Sequence, residues 1–449
     1  MFELLDSQRL MYYGDKKGVG QACLLCGSML LPQKASLDDL QKAANEVFRI
    51  NAGLRTRFIE KDGKVYQEYK AFSERKIEIK HFDSKDSLDK WARVYATIPL
   101  KLDIRTEGKG LPKSLWKTAK PSTKLIINIV RHKIGMFFIR LKYGMLKRKP
   151  ACCEIILLDL PDSSGAIVKM HHVISDAWSM VLLANQFLQI MNGEAPQAYD
   201  FKEHIENEVA YVQRKSYYKD KEFVDAWLNK CTQKTWVWSY PYTSLSASRR
   251  TVALDKKIST QIRQYADAHS LTPYTIFLSA TCIYMWRKMN KDTFFVGSVL
   301  LNRTGFREKN TVGMFVKATP LLVEINENDS FSEVLSKIRD ISFSGLRHHR
   351  GYTIPLDKRN SLYDVWVSYQ NAVFEAGLSA EFTQYYCNYV VDTTILSIED
   401  RSGAGYYNLH FDHNCKVPES DVDELFQTVL TVLYDGLDND TRKVKELGV

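Results

Sequence analysis

The sequence predicts an α/β protein made of two related lobes, and three observations support this fold class. Short apolar runs alternate with helical apolar patterns along both halves of the 449 residues, which is typical of α/β domains. The length suffices for two or three domains, and no short-period repeat interrupts the pattern. The breaker run at 192–196 predicts a boundary between an N-terminal lobe, 1–195, and a C-terminal lobe, 196–449.

In the first lobe, a helix is expected from Asp6, a strand over 22–31, a helix with Ser36 as its N-cap, and a strand from Leu54. A hairpin turn is expected at Asp62-Gly63. Strands at 153–158 and 165–172 and a helix at 178–191 complete this lobe. In the second lobe, the predicted helices are 201–215, 223–231, 256–269, 273–289, 330–346 and 419–437. Its predicted strands are 293–301, 318–325, 365–369, 388–397 and 406–412.

The composition is that of an ordinary globular protein, with 45% apolar and 26% charged residues. The N-terminus does not resemble a secretory signal, and no apolar run reaches the roughly eighteen residues of a spanning helix. We therefore expect a cytoplasmic monomer. Cys23 and Cys26 form a CxxC without a second pair, which favours buried thiols over a metal or redox site.

The net charge of +9 is concentrated in one segment. Residues 108–150 contain twelve Lys or Arg and no acidic residue, so the rest of the chain is net negative. A general affinity for nucleic acid is therefore not expected. Three interpretations of this basic insertion stay open: contact with an acidic membrane surface, docking of an acidic protein partner, or packing on the fold with lysine stems over apolar surface.

The strongest chemical signal is a pair of histidines at the end of a predicted strand, His171 and His172. Adjacent strand residues face opposite sides, so one histidine is expected on each face. Asp176 precedes a helix and is expected to cap it. A neutral imidazole there can accept a proton from an attacking amine or hydroxyl, and the free N–H groups at the helix start can stabilise an oxyanion. No third ligand at suitable spacing supports zinc.

Several motifs in the same order resemble those of the condensation domains of nonribosomal peptide synthetases, in the chloramphenicol-acetyltransferase-like, HHxxxDG superfamily. The matching segments are Ser7-Gln8-Arg9-Leu10, Asn51 to Phe58, His171 to Ser179, Val312 to Leu321, His349 to Pro355 and Arg359 to Leu362. The resemblance covers nearly the whole chain apart from the basic insertion. It implies two chloramphenicol-acetyltransferase-like lobes in a V-shaped pseudo-dimer, with an active-site tunnel between them.

The resemblance also implies residue roles. His172 would act as a general base or position the attacking amine, and His171 would be a structural neighbour. Asp176 would orient the loop through an ion pair, for which Arg303 and Arg55 are candidates. Ala177, Ser179, Lys317 and Arg303 are the candidate substrate-binding residues. No cofactor is expected to be bound, because the donor would arrive on carrier-protein phosphopantetheine or coenzyme A.

Two positions depart from the family pattern. Ala177 replaces the motif's glycine, which matters only if the backbone there has a positive φ. Lys317 replaces an asparagine near the acceptor. It is either a contact for an acceptor that carries a carboxylate or a solvated lysine with no role.

Three functions follow as hypotheses. The first is a stand-alone condensation enzyme that forms amides from substrates on an acyl or peptidyl carrier protein supplied in trans. The second is an O-acyltransferase that forms esters from carrier or coenzyme A thioesters, for which contact of the basic insertion with a membrane would suit a lipid-like substrate. The third is a non-catalytic recruitment module, and the intact His172 and Asp176 argue against it.

Overall fold

The computed structural model describes residues 1–16, 20–111, 134–135, 137–139, 141, 149–238, 246–352, 362–372, 380–389, 394–401 and 405–448. The chain divides into two compact units. Unit 1 consists of Met1–Ala210, Leu301–Val316 and Ala372–Tyr389, and unit 2 of Tyr211–Leu300, Lys317–Asn371 and Val390–Val449. Both units combine helices with β-sheets, which confirms the α/β class. The expected lobe boundary at 195/196 lies before the end of the first segment of unit 1, and that unit also includes two segments from the second half.

The strands, in chain order, are β1 (Phe2–Glu3), β2 (Leu24–Leu30), β3 (Thr56–Lys61), β4 (Lys64–Tyr69), β5 (Glu78–His81), β6 (Ile104–Glu107), β7 (Cys153–Asp159), β8 (Ser164–His171), β9 (Ala247–Ala253), β10 (Thr293–Leu300), β11 (Lys317–Glu324), β12 (Val365–Gln370), β13 (Glu381–Gln384), β14 (Thr394–Arg401) and β15 (Tyr406–Asn414). The helices are α1 (Asp6–Gly14), α2 (Leu37–Ile50), α3 (Lys85–Thr97), α4 (Ala177–Met191), α5 (Phe201–Tyr211), α6 (Lys215–Lys230), α7 (Lys256–Ala268), α8 (Pro273–Met289), α9 (Phe306–Lys309), α10 (Phe331–His348) and α11 (Glu419–Asp438).

Unit 1 contains two sheets, with strand orders β1-β4-β3-β6 and β13-β2-β8-β7-β5. Strand β8 is central in the second sheet and pairs antiparallel with both β2 and β7. A central strand has neighbours on both edges and is buried on both faces here, so its backbone and its end are held firmly. Ala166, Ile167 and Met170 on β8 are all at most 2% exposed. The last residue of this strand is His171, opposite Leu24 of β2.

A buried lysine on β8 joins the sheet to α3. Lys169 is 1% exposed, and its ammonium donates hydrogen bonds to the carbonyls of Tyr95 and Ile98 at 3.3 and 3.0 Å. The last carbonyls of a helix have no partner within the helix. The ammonium also lies 3.7 Å from the centre of the Tyr95 ring. Lys169 therefore caps the C-terminal end of α3 from inside the fold.

Unit 2 contains one sheet with the strand order β11-β10-β12-β14-β15-β9. Its largest apolar core lies between one face of this sheet and the helices α7, α8, α10 and α11. Val296, Val365, Leu396 and Leu409 represent the strands in this core, and each is at most 1% exposed. Helix α8 contributes a nearly continuous run of buried residues, so its apolar pattern is not confined to one stripe.

Most predicted elements occur within a few residues of their expected bounds, and the structure corrects three of them. The expected helices 201–215 and 223–231 are α5 (Phe201–Tyr211) and α6 (Lys215–Lys230). The expected strand 388–397 is β14 (Thr394–Arg401), and residues 390–393 lie outside the described residues. The hairpin at Asp62-Gly63 is present, with φ of 49° and 78°, as a type I′ turn requires.

Candidate active site at the end of strand β8

A short turn connects β8 to α4 and carries the histidine pair. A 3₁₀ helix spans His172–Ile174, and α4 begins at Ala177. Asp176 is the N-cap, and its carboxylate accepts the Ser179 N–H at 2.8 Å. The predicted cap is therefore present. Because a capping carboxylate satisfies one of the unpaired N–H groups of the helix start, the sequence Asp176-Ala177-Trp178-Ser179 fixes where the turn ends.

Asp176 is fully buried and forms an ion pair with Arg303. One guanidinium nitrogen, Nη2, lies 2.9 Å from both carboxylate oxygens. The backbone N–H of Phe315 donates to Oδ2 at 3.1 Å. The hydroxyl of Ser179 lies 2.8 Å from Oδ1. A buried carboxylate with this many donors is held in a single orientation.

The guanidinium of Arg303 has further contacts that fix its plane. It donates to the carbonyls of Glu308, Thr311 and Gly313 and stacks on the Phe315 ring at 4.0 Å from its centre. Burial lowers the pKa of Arg303, and the charge of Asp176 opposes this shift. An arginine remains charged in such an environment. The pair therefore fastens the start of α4 to the segment 301–316 of the same unit.

Close packing explains the glycine in this segment. A Cβ atom on Gly313 would lie 2.2 Å from the ring of Phe201. The glycine N–H and carbonyl both bond to Ser179, at 3.1 and 2.9 Å. A larger residue at this position would move the Phe201 ring or separate the segment from Ser179.

His171 is buried and has a defined tautomer. Its Nδ1 accepts the backbone N–H of Val173 at 3.1 Å, so the proton of the neutral ring is on Nε2. This Nε2 lies 3.6 Å from a carboxylate oxygen of Asp15, and the carbonyl of His171 accepts the Ser175 hydroxyl at 3.0 Å. These contacts hold the backbone immediately before His172. The supporting role expected for His171 stays a prediction.

His172 is the next residue, and it begins the 3₁₀ helix of the turn. Burial lowers its pKa below the ordinary histidine range, the charge of Asp176 opposes this shift, and the neighbouring His171 adds to it. Among the described residues, Nδ1 has no hydrogen-bond partner. The usual histidine pKa is about 6.5, so a lowered value leaves the ring neutral at physiological pH. A neutral ring is the form that can accept a proton.

Two amide side chains bond to the turn and to the helix that follows it, and the sequence patterns did not reveal these contacts. Gln8 of α1, fully buried, donates to the carbonyl of Val173 at 2.9 Å. Asn51, at the end of α2, donates to Gln186 of α4 at 2.8 Å. Both residues lie in segments that carried the family resemblance. An amide residue within a sequence motif was the only signal for these contacts. The partner could not be read from the sequence, because the Val173 carbonyl lies 165 positions from Gln8.

The other predicted site residues lie at the start of α4 and at the start of β11. Ala177 is the first residue of α4, and its φ is not positive, so alanine is compatible with the backbone there. Ser179 is fully buried within the Asp176 contacts. Lys317 begins β11 in unit 2 and pairs with Leu300. The substrate contacts expected of Ala177, Ser179, Lys317 and Arg303 stay predictions.

Arg55 was a candidate partner for Asp176, and this prediction is wrong. Its guanidinium donates to the carbonyls of Phe48, Arg49 and Lys70. The first two carbonyls belong to the last turn of α2, where unpaired carbonyls attract cations. The expected oxyanion site at the start of α4 is also reduced, because the carboxylate of Asp176 already occupies the Ser179 N–H.

Some predictions fall on parts of the chain that the structure covers only in part. Most of the basic insertion 108–150 and residues 353–361 of the late motifs lie outside the described residues. Within the described part, the thiols of Cys23 and Cys26 are buried, as expected, and form no disulfide. Among the same residues, no cluster of His, Cys, Asp and Glu is suited to a metal, and no helix is long and apolar enough to span a membrane.

The fold and the strand-end turn together define the class: an α/β protein with an HHxxxD turn between a central strand and a helix. The family model "Condensation domain" matches residues 146–393, and the chain belongs to this family. Membership implies acyltransferase activity of the condensation type.

Curated relatives include surfactin synthase subunit 1 of Bacillus subtilis (strain 168), 24% identical over 299 residues, which are 62% of this chain and 8% of that protein. Bacitracin synthase 2 of Bacillus licheniformis is 26% identical over 263 residues, which are 54% of this chain and 10% of that protein. The chain thus spans a small fraction of the length of these relatives.

Solved structures show the same fold. The first condensation domain of the calcium-dependent antibiotic synthetase, in complex with a substrate analogue, matches with a TM-score of 0.77 and 15% identity, over 99% of this chain and 98% of that one. The starter condensation domain of rhizomide synthetase, in complex with C8-CoA, matches with a TM-score of 0.76 and 14% identity, over 99% of this chain and 97% of that one.

Proposed function

We propose that this chain transfers an acyl or aminoacyl group from a carrier-protein phosphopantetheine thioester to an amine and forms an amide. The observation that carries the proposal is the position of His172, a partly buried histidine on a turn whose two ends are held by hydrogen bonds. Burial of the imidazole nitrogen lowers the pKa of His172, which favours the neutral ring. A base whose ring is neutral and held in place can receive the amine proton without first losing one. The family membership and the synthetases among the relatives also support it.

The reaction balances as follows. The amine nitrogen attacks the thioester carbonyl carbon, and its proton passes to the His172 imidazole or is held by it. The tetrahedral intermediate collapses, the carbon–sulfur bond breaks, and the thiolate takes up the proton as the carrier thiol is released. Asp176 does not transfer protons, because its two oxygens are occupied by Arg303, Ser179 and Phe315.

The test is incubation of the protein with an acyl-loaded carrier protein, or with acyl coenzyme A, and a panel of amines and alcohols, with products identified by mass spectrometry. His172→Ala is expected to abolish amide formation. His269→Ala, an exposed histidine on the surface of unit 2, is the matched control and is expected to keep it.

Each outcome has a defined consequence. Unchanged product formation by His172→Ala would refute the assigned role of this residue. Products that are esters rather than amides would replace the proposed acceptor class with alcohols. Binding of the carrier protein without any turnover by the wild type would favour a recruitment module.

The acceptor class can be refined at Lys317. We propose that its ammonium pairs with a carboxylate on the acceptor, since an ammonium favours an anionic partner. Lys317→Gln is then expected to raise KM for acceptors that carry a carboxylate and to leave KM for their amides unchanged. Equal effects on both acceptor types would remove this contact from the proposal.

A further inference from the structure

A second buried amide lies next to the Gln8 side chain that bonds to the turn. Gln67 belongs to β4, where it is paired with Phe2 of β1 and Phe58 of β3. Gln67 is 1% exposed, and Gln8 is fully buried. Burying an amide is costly unless its polar atoms are hydrogen-bonded. The partners of Gln67 therefore show what a polar residue does at this core position.

The two amides bond to each other in both directions. Nε2 of Gln8 donates to Oε1 of Gln67 at 3.1 Å, and Nε2 of Gln67 donates to Oε1 of Gln8 at 2.8 Å. The second hydrogen of each nitrogen bonds to a backbone carbonyl. Gln8 donates to the carbonyl of Val173 at 2.9 Å, and Gln67 donates to that of Glu3 at 3.1 Å. All four amide hydrogens thus have acceptors.

This pattern fixes the orientation of the Gln8 amide. If the Gln8 amide alone were turned over, its oxygen would face the oxygens of Val173 and Gln67, and its nitrogen would face the nitrogen of Gln67. If both amides were turned over, the bonds between them would be restored, but an oxygen would face the carbonyl of Val173 and another that of Glu3. Only the observed arrangement satisfies every group. Gln67 therefore keeps the nitrogen of Gln8 directed at the turn.

The carbonyl that Gln8 holds belongs to the residue directly after His172. The N–H of Val173 bonds to Nδ1 of His171 at 3.1 Å, and its carbonyl bonds to Gln8. Both backbone polar groups of Val173 are therefore held, and Val173 is fully buried. Because His172 and Val173 lie in the same 3₁₀ turn, a displacement of the Val173 carbonyl would change the direction of the His172 side chain.

We propose that Gln67 is a positioning residue for His172 and acts through Gln8 on the turn that carries this histidine. The proposal rests on the catalytic role proposed for His172 above. The hydrogen bonds of Gln67 go to Gln8 and to Glu3, so its effect on the reaction requires Gln8. A base accepts a proton efficiently only when it is held within hydrogen-bond distance of the reacting group. Loosening the turn should therefore slow the chemical step more than it weakens substrate binding.

The test is a double-mutant cycle on kcat with Gln67→Leu, Gln8→Leu and the double variant. Leucine fills a similar volume without the amide. Gln67→Leu is expected to lower kcat about tenfold, the equivalent of one hydrogen bond, and to change KM by less than about twofold. In the Gln8→Leu background, the further change of Gln67 is expected to leave kcat unchanged, because the link to the turn is already broken. Equal losses of kcat in the two backgrounds would overturn the proposal.

Asn45→Ala is the matched control for the loss of a buried amide. Asn45 lies on α2 of the same unit, is 5% exposed, and donates to the carbonyls of Gln41 and Arg75. Asn45→Ala is expected to lower the temperature of thermal unfolding, as Gln67→Leu does, but to keep the kcat of the wild type when both are assayed well below that temperature. An equal loss of kcat in Asn45→Ala would show that general destabilisation causes the effect and would refute the positioning role.

Nuclear magnetic resonance of the histidine rings provides a readout that does not need turnover. Burial lowers the pKa of His172, so a turn loosened by Gln67→Leu is expected to shift this pKa toward the ordinary value of about 6.5. Asn45→Ala should leave it unchanged. A shift in Gln67→Leu, in a protein whose wild type forms no amide, would refute the proposed function but support the hold of Gln67 on the turn. An unchanged pKa and an unchanged kcat in an active enzyme would refute the positioning role alone.

Discussion

At the scale of single residues, the site depends on one carboxylate that makes contact with several donors. Asp176 caps α4, pairs with Arg303 and accepts the N–H of Phe315. It therefore connects the turn after His172 to the segment 301–316. Its contribution is to hold the geometry of the turn, since the group is fully buried and both of its oxygens already accept hydrogen bonds from protein donors.

Asp176→Asn tests whether Asp176 acts by holding the turn in place rather than by contacting the substrate. The amide keeps one acceptor oxygen, but its NH₂ group faces donors where the carboxylate had an acceptor. The amide is also uncharged, so the buried guanidinium of Arg303 loses its counter-charge. We expect the free energy of unfolding to fall by about 3 kcal/mol, and kcat to fall while KM changes little. Denaturant titration and steady-state kinetics measure the two effects.

The control for this variant is Glu203→Gln, which removes an ion pair with Arg307 on the surface of the same unit. Because both partners of this pair are at least half exposed, the cost should stay within about 0.5 kcal/mol. Equal destabilisation by the two variants would contradict the role given to the buried pair.

The pH dependence of the reaction should report the environment of His172. Burial lowers its pKa in the folded protein, whereas the unfolded chain titrates near about 6.5. The neutral, active form therefore persists below pH 6.5, and the acid limb of kcat/KM should have a midpoint below that value. An acid limb at or above pH 6.5, in an enzyme that needs His172, would show that the ring is not desolvated as described.

The same shift has a consequence for stability. At a pH above the His172 pKa of both the folded and the unfolded state, the ring is neutral in both states. It then adds nothing to the pH dependence of the free energy of unfolding. As the pH falls below 6.5, the unfolded state takes up a proton that the folded state resists, and stability is lost until the folded pKa is reached. His172→Gln should flatten this part of the stability curve, measured by thermal unfolding between about pH 5 and 7.

How much of the site the sequence could predict differs from residue to residue. The histidine pair, Asp176 and the helix start that Asp176 caps all lie within residues 171–179, so local spacing alone predicted them. Arg303 and Arg55 looked equally suitable as partners, because both are arginines in matching motifs. Only the fold distinguishes them: Arg55 bonds to the C-terminal end of the preceding helix, α2, and Arg303 bonds to Asp176, which lies 127 positions away.

At the scale of elements, local signals predicted some helices well and missed others. Helix α8 begins at Pro273 after the Thr272 cap, as the sequence predicts. The start of α6 at Lys215 has no side-chain cap, so the pattern offered no start signal and the helix was placed too late. Helix α3 was missed although Ser84 and Ser87 form a capping box, because its apolar positions stand among many charged residues.

The contact between β8 and α3 gives a prediction at this scale. Lys169→Met keeps the length of the side chain but removes both hydrogen bonds to the end of α3, and the carbonyls of Tyr95 and Ile98 lose this donor. We expect the free energy of unfolding to fall by about 2 kcal/mol. Lys90→Met, on the exposed side of α3, is the control and should leave the unfolding midpoint close to that of the wild type. Equal unfolding midpoints for the two variants would exclude the capping role.

At the scale of the whole molecule, the order of residues in the sequence does not follow the two compact units. The segments Leu301–Val316 and Ala372–Tyr389 belong to unit 1, although residues of unit 2 precede and follow them. The sequence could not predict this, because a periodic pattern identifies an element without identifying the sheet it joins. Strand β13 illustrates the point: it pairs with β2, more than 350 positions earlier.

Hydrogen exchange should reveal this division. The amides of Phe315 and Tyr385 donate to Asp176 and to the carbonyl of Cys26, both in unit 1. Ile167→Ala in the core of unit 1 should destabilise that unit by about 3 kcal/mol and speed exchange at both amides by a factor on the order of 100. In Val365→Ala, at an equally buried position in unit 2, the amides of Phe315 and Tyr385 should exchange much more slowly than in Ile167→Ala. Faster exchange of the two amides in Val365→Ala than in Ile167→Ala would place these segments with unit 2 instead.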